Sequence, residues 1–278
     1  MSTQNGTWDH DLDPVISLSA KRAQVRTVIL AGGTGTRLRP YTAVLPKPLM
    51  PLGDRAILEF VIDQLAEQGF SDITLSVGHL AHVVEAVFGD GASHGVEINY
   101  VREEVPLGTA GSLRLVEGLD GTFLVLNGDL VTSIDYRSLI RAHRAGNNVL
   151  TIATTNRQVK MDYGLLDLGD AKGALREIAG YREKPVIDCM VSMGIYVLEP
   201  EALEFAPADG HFDFPQLVQR ALAAGAPIGA FVYDGLWLDI GRHEDYEQAV
   251  TLWEAGAFDS VADEHAEAKN DLAAAHDG

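Results

Sequence analysis

Gly32, Gly33 and Gly35 fall within four positions, Arg37 follows them, and Lys47 stands between two prolines in Pro46-Lys47-Pro48. An apolar run from Val25 to Leu30 precedes the glycines and reads as a buried strand. Glycines carry no Cβ, so backbone N–H groups in such a loop can close on a bulky anion. Arg37 and Lys47 bring fixed positive charge to the same place. A loop of this kind suits a triphosphate, and the lack of a general base nearby points to phosphorus chemistry. Two better-known glycine motifs do not fit. Leu38 occupies the third glycine position of a dinucleotide fingerprint, and the loop ends in Thr36-Arg37-Leu38 where a Walker A loop needs Gly-Lys-Ser/Thr. A ligand-free strand-to-helix turn requires neither three glycines nor two cations.

Two carboxylates complement the loop. Asp129 follows the apolar run Leu124-Val125-Leu126-Asn127-Gly128, and Asp239 sits inside Trp237-Leu238-Asp239-Ile240-Gly241. Asp129 alone reads as a turn or helix-cap residue, whereas Asp239 stands within an apolar run that does not favour charge. Together, at strand ends in a chain short of cations, they suggest Mg²⁺ shared with phosphate oxygens. Glu103 and Gly108, in Glu103-Glu104-Val105-Pro106-Leu107-Gly108-Thr109-Ala110-Gly111, have two readings. They form a base-recognising loop, or a plain strand-to-helix connection in which Thr109 caps a helix over 110–117. Glu183-Lys184-Pro185 is either a solvated surface pair or a ligand-facing loop. Tyr163-Gly164 and Gly194 mark places where a flat ring approaches the backbone, or else strand bulges. His79 and His82 lack a third ligand at zinc spacing and read as surface residues. Cys189, the single cysteine, reads as a buried thiol in a strand.

The elements that must position these residues alternate apolar β-branched runs with amphipathic stretches, as in a Rossmann-like, mostly parallel α/β sheet flanked by helices. Strands are expected at 25–30, 73–77, 96–101, 122–126, 149–153, 190–198 and 227–232, with short ones at 164–168 and 175–181. Helices are expected at 57–68, 81–88, 110–117, 136–145, 215–223 and 244–254. The ligand edge of such a sheet lies at the carboxyl ends of its strands, so the glycine loop and Asp129 should share an edge. Residues 1–24 are expected to be a flexible extension. The domain should span 25–256, with a nucleotide-binding half over 25–148 and a sugar-phosphate-binding half over 149–256. An acidic flexible tail is expected over 257–278. The formal charge of −19 argues against nucleic acid as a partner. No apolar run reaches membrane-spanning length, no signal peptide opens the chain, and one cysteine suits a cytoplasmic protein.

Taken in order, LAGGTGTRLRP, PKPLMP, EEVPLGTAGS, NGD, YG, EKP, GIY and WLDIG resemble the sugar-1-phosphate nucleotidyltransferases, from about Val25 to Trp253. The resemblance implies a Rossmann-like core, a nucleoside triphosphate and a sugar 1-phosphate as partners, and release of pyrophosphate. It assigns Leu30, Ala31, Gly32, Gly33, Gly35, Thr36, Glu103 and Gly108 to the nucleotide. Arg37, Lys47 and Lys184 become the catalytic cations. Tyr163, Gly164, Glu183, Lys184 and Gly194 fall to the sugar phosphate, and Asp129 and Asp239 to Mg²⁺. Relatives are often dimers or tetramers, which makes a homodimer or homotetramer an expectation. The PLGTAG loop resembles guanylyltransferases for mannose or heptose 1-phosphate, so GTP is the expected nucleotide. Thymidylyl-, uridylyl- and cytidylyltransferases of the same family, and a non-catalytic nucleotide-sugar-binding regulatory subunit, are the alternatives.

Overall fold

Val28 and Ile29 have no solvent exposure at the centre of β1 (Arg26–Ala31), as its apolar run requires. A computed structural model describes residues 25–258, which contain thirteen strands and five α-helices. The first half continues with β2 (Pro51–Leu52), β3 (Arg55–Ala56), α1 (Ile57–Glu67), β4 (Asp72–Val77), α2 (Ala81–Phe88) and β5 (Glu97–Arg102). There follow β6 (Phe123–Asn127), β7 (Leu130–Thr132), α3 (Tyr136–Ala145) and β8 (Leu150–Lys160). The second half adds β9 (Leu165–Lys172), β10 (Leu175–Arg182) and β11 (Val186–Leu198). It closes with α4 (Phe214–Ala223), β12 (Ile228–Val232), β13 (Trp237–Asp239) and α5 (His243–Glu254).

Seven strands form the central sheet in the order β12-β8-β11-β6-β1-β4-β5. β1 runs parallel to β4 and β6, β4 to β5, and β12 to β8, while β11 is antiparallel to both its neighbours. The exception has a local cause: β11 returns from β8 through the β9–β10 hairpin, and antiparallel neighbours need no crossover helix. α1 packs Leu58, Val61, Ile62 and Leu65 against the sheet, the face its periodicity predicts. Each such side chain contributes roughly 2 kcal/mol on burial. No helix of the described residues is long and apolar enough to cross a membrane.

Several expectations change. Both β8 and β11 are longer than their apolar runs, because they continue past the sheet as a ribbon whose register extends to Lys160 opposite Val186. Cys189 lies on that outer ribbon and is half-buried, not buried, since no second layer covers the ribbon there. The segment 110–117 forms only a 3₁₀ turn at Gly111–Leu115. The extension at 1–24 and residues 259–278 of the acidic tail lie outside the described residues. Ala257 and Phe258 do not belong to a tail: Phe258 is buried against Phe60 and Trp253.

His143, which no motif singles out, is fully buried on α3, with Nδ1 2.8 Å from Thr151 Oγ1 and Nε2 3.1 Å from Glu199 Oε1. Burial holds its pKa below the ordinary 6.5 against the opposing pull of Glu199. The unfolded chain therefore binds more protons than the folded one once the pH falls below that value. His143 thus confers stability that is complete above pH 6.5 and lost as pH drops through the lowered folded-state pKa. Thermal melts of His143→Gln should fall less steeply on acidification below pH 6.5 than wild-type melts; parallel curves would refute this.

Candidate functional site: a nucleotide-sized cleft beside a carboxylate pair

Two parallel strand ends build the site. Leu30 of β1 is in register with Asn127 of β6, and Gly128 N–H donates to the Leu30 carbonyl at 2.9 Å. The glycine loop and Asn127-Gly128-Asp129 therefore leave the sheet side by side, as the strand order requires. Gly35 has φ +59°, and Thr42 Oγ1 donates to its carbonyl at 2.7 Å. A Cβ at Gly35 would lie 2.8 Å from Thr42 Cγ2, so this position excludes other residues. The loop leads into a 3₁₀ turn at Thr36–Leu38, which carries Arg37, and a second such turn at Lys47–Leu49 carries the lysine.

Asp239 arrives by another route. β13 pairs antiparallel with β7 in a separate two-stranded sheet, with Asp239 opposite Leu130. Ile240 N–H donates to the Asp129 carbonyl at 3.1 Å. Asp129, in the turn just before β7, and Asp239, at the end of β13, are thus brought side by side although 110 residues apart in sequence. Asp129 is not a helix cap, since β7 follows it. Its Oδ2 accepts from Lys47 Nζ, and that lysine side chain is only 11% exposed.

Asp239 is pushed above the usual carboxylate range, first by burial and then by the Asp129 charge, with Lys47 and Arg37 opposing. Asp129 Oδ1 is buried with no hydrogen-bond partner among the described residues. An orphaned carboxylate oxygen beside a second, destabilised carboxylate is a hard oxygen donor set in want of a cation, and it fits a divalent ion. Glu59, Asp63 and His94 also bring ligand atoms together elsewhere. There Asp63 already accepts from Arg55 and contacts His94, while Glu59 caps the Ala56 N–H.

A cleft of about 490 Å³ opens over this edge. Its walls include Leu30, Ala31, Gly32, Gly33, Gly35, Thr36, Arg37, Lys47, Glu103, Gly108 and Asp129, all named from sequence. Asp239 lines an adjoining cleft that shares Arg37 and Gly241 with the first. Glu103 does structural duty as well: its carboxylate accepts from Ser76 Oγ at 3.2 Å and from Leu107 N–H at 2.9 Å, which fixes the loop. A Cβ at Gly32 would fall 2.6 Å from Glu103 Oε1, so the two segments touch. Gly108, at φ +82°, abuts the Phe212 carbonyl. Thr109 does not cap its own segment. Its N–H and hydroxyl donate to Asp213 Oδ1, and its hydroxyl accepts from Phe214 N–H at the start of α4.

Asp213 and His211 line the cleft and escaped the sequence reading. The only signal at Asp213 is that of a helix N-cap, a role it also fills. The sugar-phosphate candidates do not enter this cleft. Tyr163 is 76% exposed before β9, and Gly164 packs on the Tyr181 ring. Glu183 accepts from the Tyr181 hydroxyl and raises that phenol's pKa. Lys184 is exposed, with a left-handed φ of 42° that costs on the order of 1 kcal/mol in a residue with a Cβ. Gly194 alone reaches the wall, where a Cβ would lie 2.5 Å from Asn127 Nδ2. His79 and His82 are exposed, as expected.

Residues 26–255 match the nucleotidyl transferase family, and the chain belongs to it. A UTP–glucose-1-phosphate uridylyltransferase from Synechocystis is 33% identical over 250 residues, covering 81% of this chain and 62% of that protein. A mannose-1-phosphate guanyltransferase from Pichia angusta is 35% identical over 240 residues, covering 82% and 64%. The chain therefore spans less than two thirds of these relatives' length. Among solved structures, HddC from Yersinia pseudotuberculosis complexed with GMP-PN matches with TM-score 0.62 at 25% identity, covering 82% of this chain and 98% of that one.

Proposed function

We propose that this chain joins a nucleoside triphosphate to a sugar 1-phosphate and releases pyrophosphate. The observation that carries the reading is one cleft edge holding the glycine loop, Lys47 and Asp129, with Asp239 of the adjoining cleft brought beside Asp129 by the β13–β7 pairing. The sugar phosphate is already a nucleophile, so positioning and charge neutralisation suffice. Its phosphate oxygen attacks the α-phosphorus; the bond to the bridging oxygen breaks, and pyrophosphate leaves with the bonding electrons. Arg37 and Lys47 offset the charge that develops on the leaving side. Asp129 and Asp239 would hold Mg²⁺, and the chemistry that the ion would supply there is further positive charge for the phosphate oxygens.

GTP is the proposed nucleotide. Guanine presents N1–H and N2–H₂ donors, and Glu103 retains acceptor capacity beyond its bonds to Ser76 and Leu107. The guanyltransferase name of the Pichia relative and the GMP-PN bound to HddC support the same base. The half over 149–256 would bind a hexose or heptose 1-phosphate through Tyr163, Gly164, Glu183, Lys184 and Gly194. Pyrophosphate release should be screened with the five common nucleoside triphosphates against a panel of sugar 1-phosphates. GTP with a hexose or heptose 1-phosphate is the expected pair. No release with any pair, alongside tight nucleotide-sugar binding, would replace this reading with a regulatory one.

A further inference from the structure

The cleft wall that follows Glu103 uses nearly all of its hydrogen-bond donors within the protein. Leu107 N–H donates to Glu103 Oε2, and both the N–H and the hydroxyl of Thr109 donate to Asp213 Oδ1. Ala110 and Gly111 N–H donate to the Phe212 carbonyl at 3.0 and 2.7 Å, and Ser112 N–H donates to the Gly108 carbonyl at 3.2 Å. Pro106 has no N–H. From 106 to 112, the Gly108 N–H and the Ser112 hydroxyl are left without a partner among the described residues. The two differ in access. Gly108 is half-buried, so solvent can serve its N–H. Ser112 is only 1% exposed, yet it lines the same cleft, and its Oγ is buried. A buried, unpaired hydroxyl destabilises the folded chain, and alanine would fill the Gly111–Leu115 turn without that cost. An orphaned hydroxyl on a cleft wall is a donor available to whatever enters the cleft.

We propose that Ser112 is a base-selecting residue whose hydroxyl donates to the O6 carbonyl of guanine, while Glu103 accepts from N1–H and N2–H₂. The inference rests on the GTP reading above. Guanine carries these three groups side by side on one edge, an acceptor next to two donors. An ionised Glu103 only accepts, so it leaves O6 in need of a donor from the same wall. Arg37 and Lys47 are assigned to the phosphates, and the backbone donors at 107 and 109–112 are already engaged. Two short steps tie the hydroxyl to the carboxylate. Glu103 holds Leu107 N–H, and the next carbonyl, that of Gly108, accepts from Ser112 N–H. Phe212 and Asp213 brace the turn between them from the α4 side, so the position of Ser112 is set before any ligand arrives.

The test is calorimetric titration of GTP, 6-thio-GTP and ITP into the full chain, comparing wild type with Ser112→Ala. In 6-thio-GTP a sulfur, a poor acceptor, replaces O6 and the N–H groups remain; ITP keeps O6 and lacks the 2-amino group. Wild type should bind 6-thio-GTP about tenfold more weakly than GTP. Ser112→Ala should bind GTP about tenfold more weakly than wild type does and should no longer tell GTP from 6-thio-GTP. The preference for GTP over ITP should be the same in both proteins, because the 2-amino group belongs to Glu103. Without ligand, Ser112→Ala should melt no lower than wild type, since it loses a hydroxyl that has no partner. Wild-type GTP affinity in Ser112→Ala would overturn the proposal and leave the GTP reading standing. An equal loss for all three nucleotides would overturn it too, by moving the hydroxyl's effect to the ribose, the phosphates or the loop as a whole. A wild-type protein that binds UTP or dTTP and not GTP would refute both the proposal and the GTP reading.

Discussion

Asp239→Asn is expected to lower turnover on the order of a thousandfold while leaving the metal-free protein at least as stable as wild type. The substitution keeps the shape of a side chain whose charge is raised in energy by burial and by Asp129. Removing that charge relieves the folded state, whereas removing a ligand abolishes the site for the cation. MgCl₂ should raise the melting temperature of wild type and fail to raise that of the variant, by mass action on the folded state. Asp129→Asn should behave differently. It loses activity too, but it also breaks the contact with Lys47, so its metal-free melting temperature falls. Near-normal turnover in Asp239→Asn, or full stabilisation of that variant by Mg²⁺, would sink the assignment of the pair.

What could be read in advance follows from the range of the forces involved. β1 and α1 were legible because a buried strand and an amphipathic face are written in consecutive residues. The shared edge of the glycine loop and Asp129 followed from parallel-sheet geometry alone. β13 was not legible: a three-residue strand has no periodicity, and its partner β7 lies over 100 positions away. The pairing of Lys47 with Asp129 was hidden for the same reason, since each residue reads locally as a phosphate or metal contact. The helix expected over 110–117 failed because Gly108 and Gly111 bend the chain onto Phe212. Tertiary hydrogen bonds to that carbonyl then replace the helical ones. His143 and Asp213 carry no signal of these contacts, because one histidine on an apolar face or one helix-cap residue is ordinary in sequence. Their meaning comes only from Glu199 and from Thr109 across the fold.

Under the proposed function a molecule at −19 must concentrate cations to take a triphosphate, and Lys47, Arg37, Arg157 and Arg242 do gather on the walls of the two adjoining clefts. Lys47 is the most constrained of them. Its ammonium is mostly buried and lies on Asp129 Oδ2, while Asp129 Oδ1 has no hydrogen-bond partner among the described residues and Asp239 adds a second negative charge nearby. Lys47→Met therefore leaves two neighbouring carboxylates without the cation that contacts Asp129, with only the more distant Arg37 opposing their repulsion. Breaking one side of a buried pair costs about 3 kcal/mol, which in a domain of this size lowers the melting temperature by about 10 °C. The same substitution removes a charge from the phosphate edge, and turnover should fall on the order of a hundredfold. The two effects separate on adding Mg²⁺. The ion neutralises the orphaned carboxylates, so the stability lost in Lys47→Met should largely return in MgCl₂, while the missing turnover should not. A variant that melts with wild type in metal-free buffer would show that the lysine does not hold the aspartate in solution. One that regains full turnover with added Mg²⁺ would show that its charge serves only the carboxylates, not the reacting phosphates.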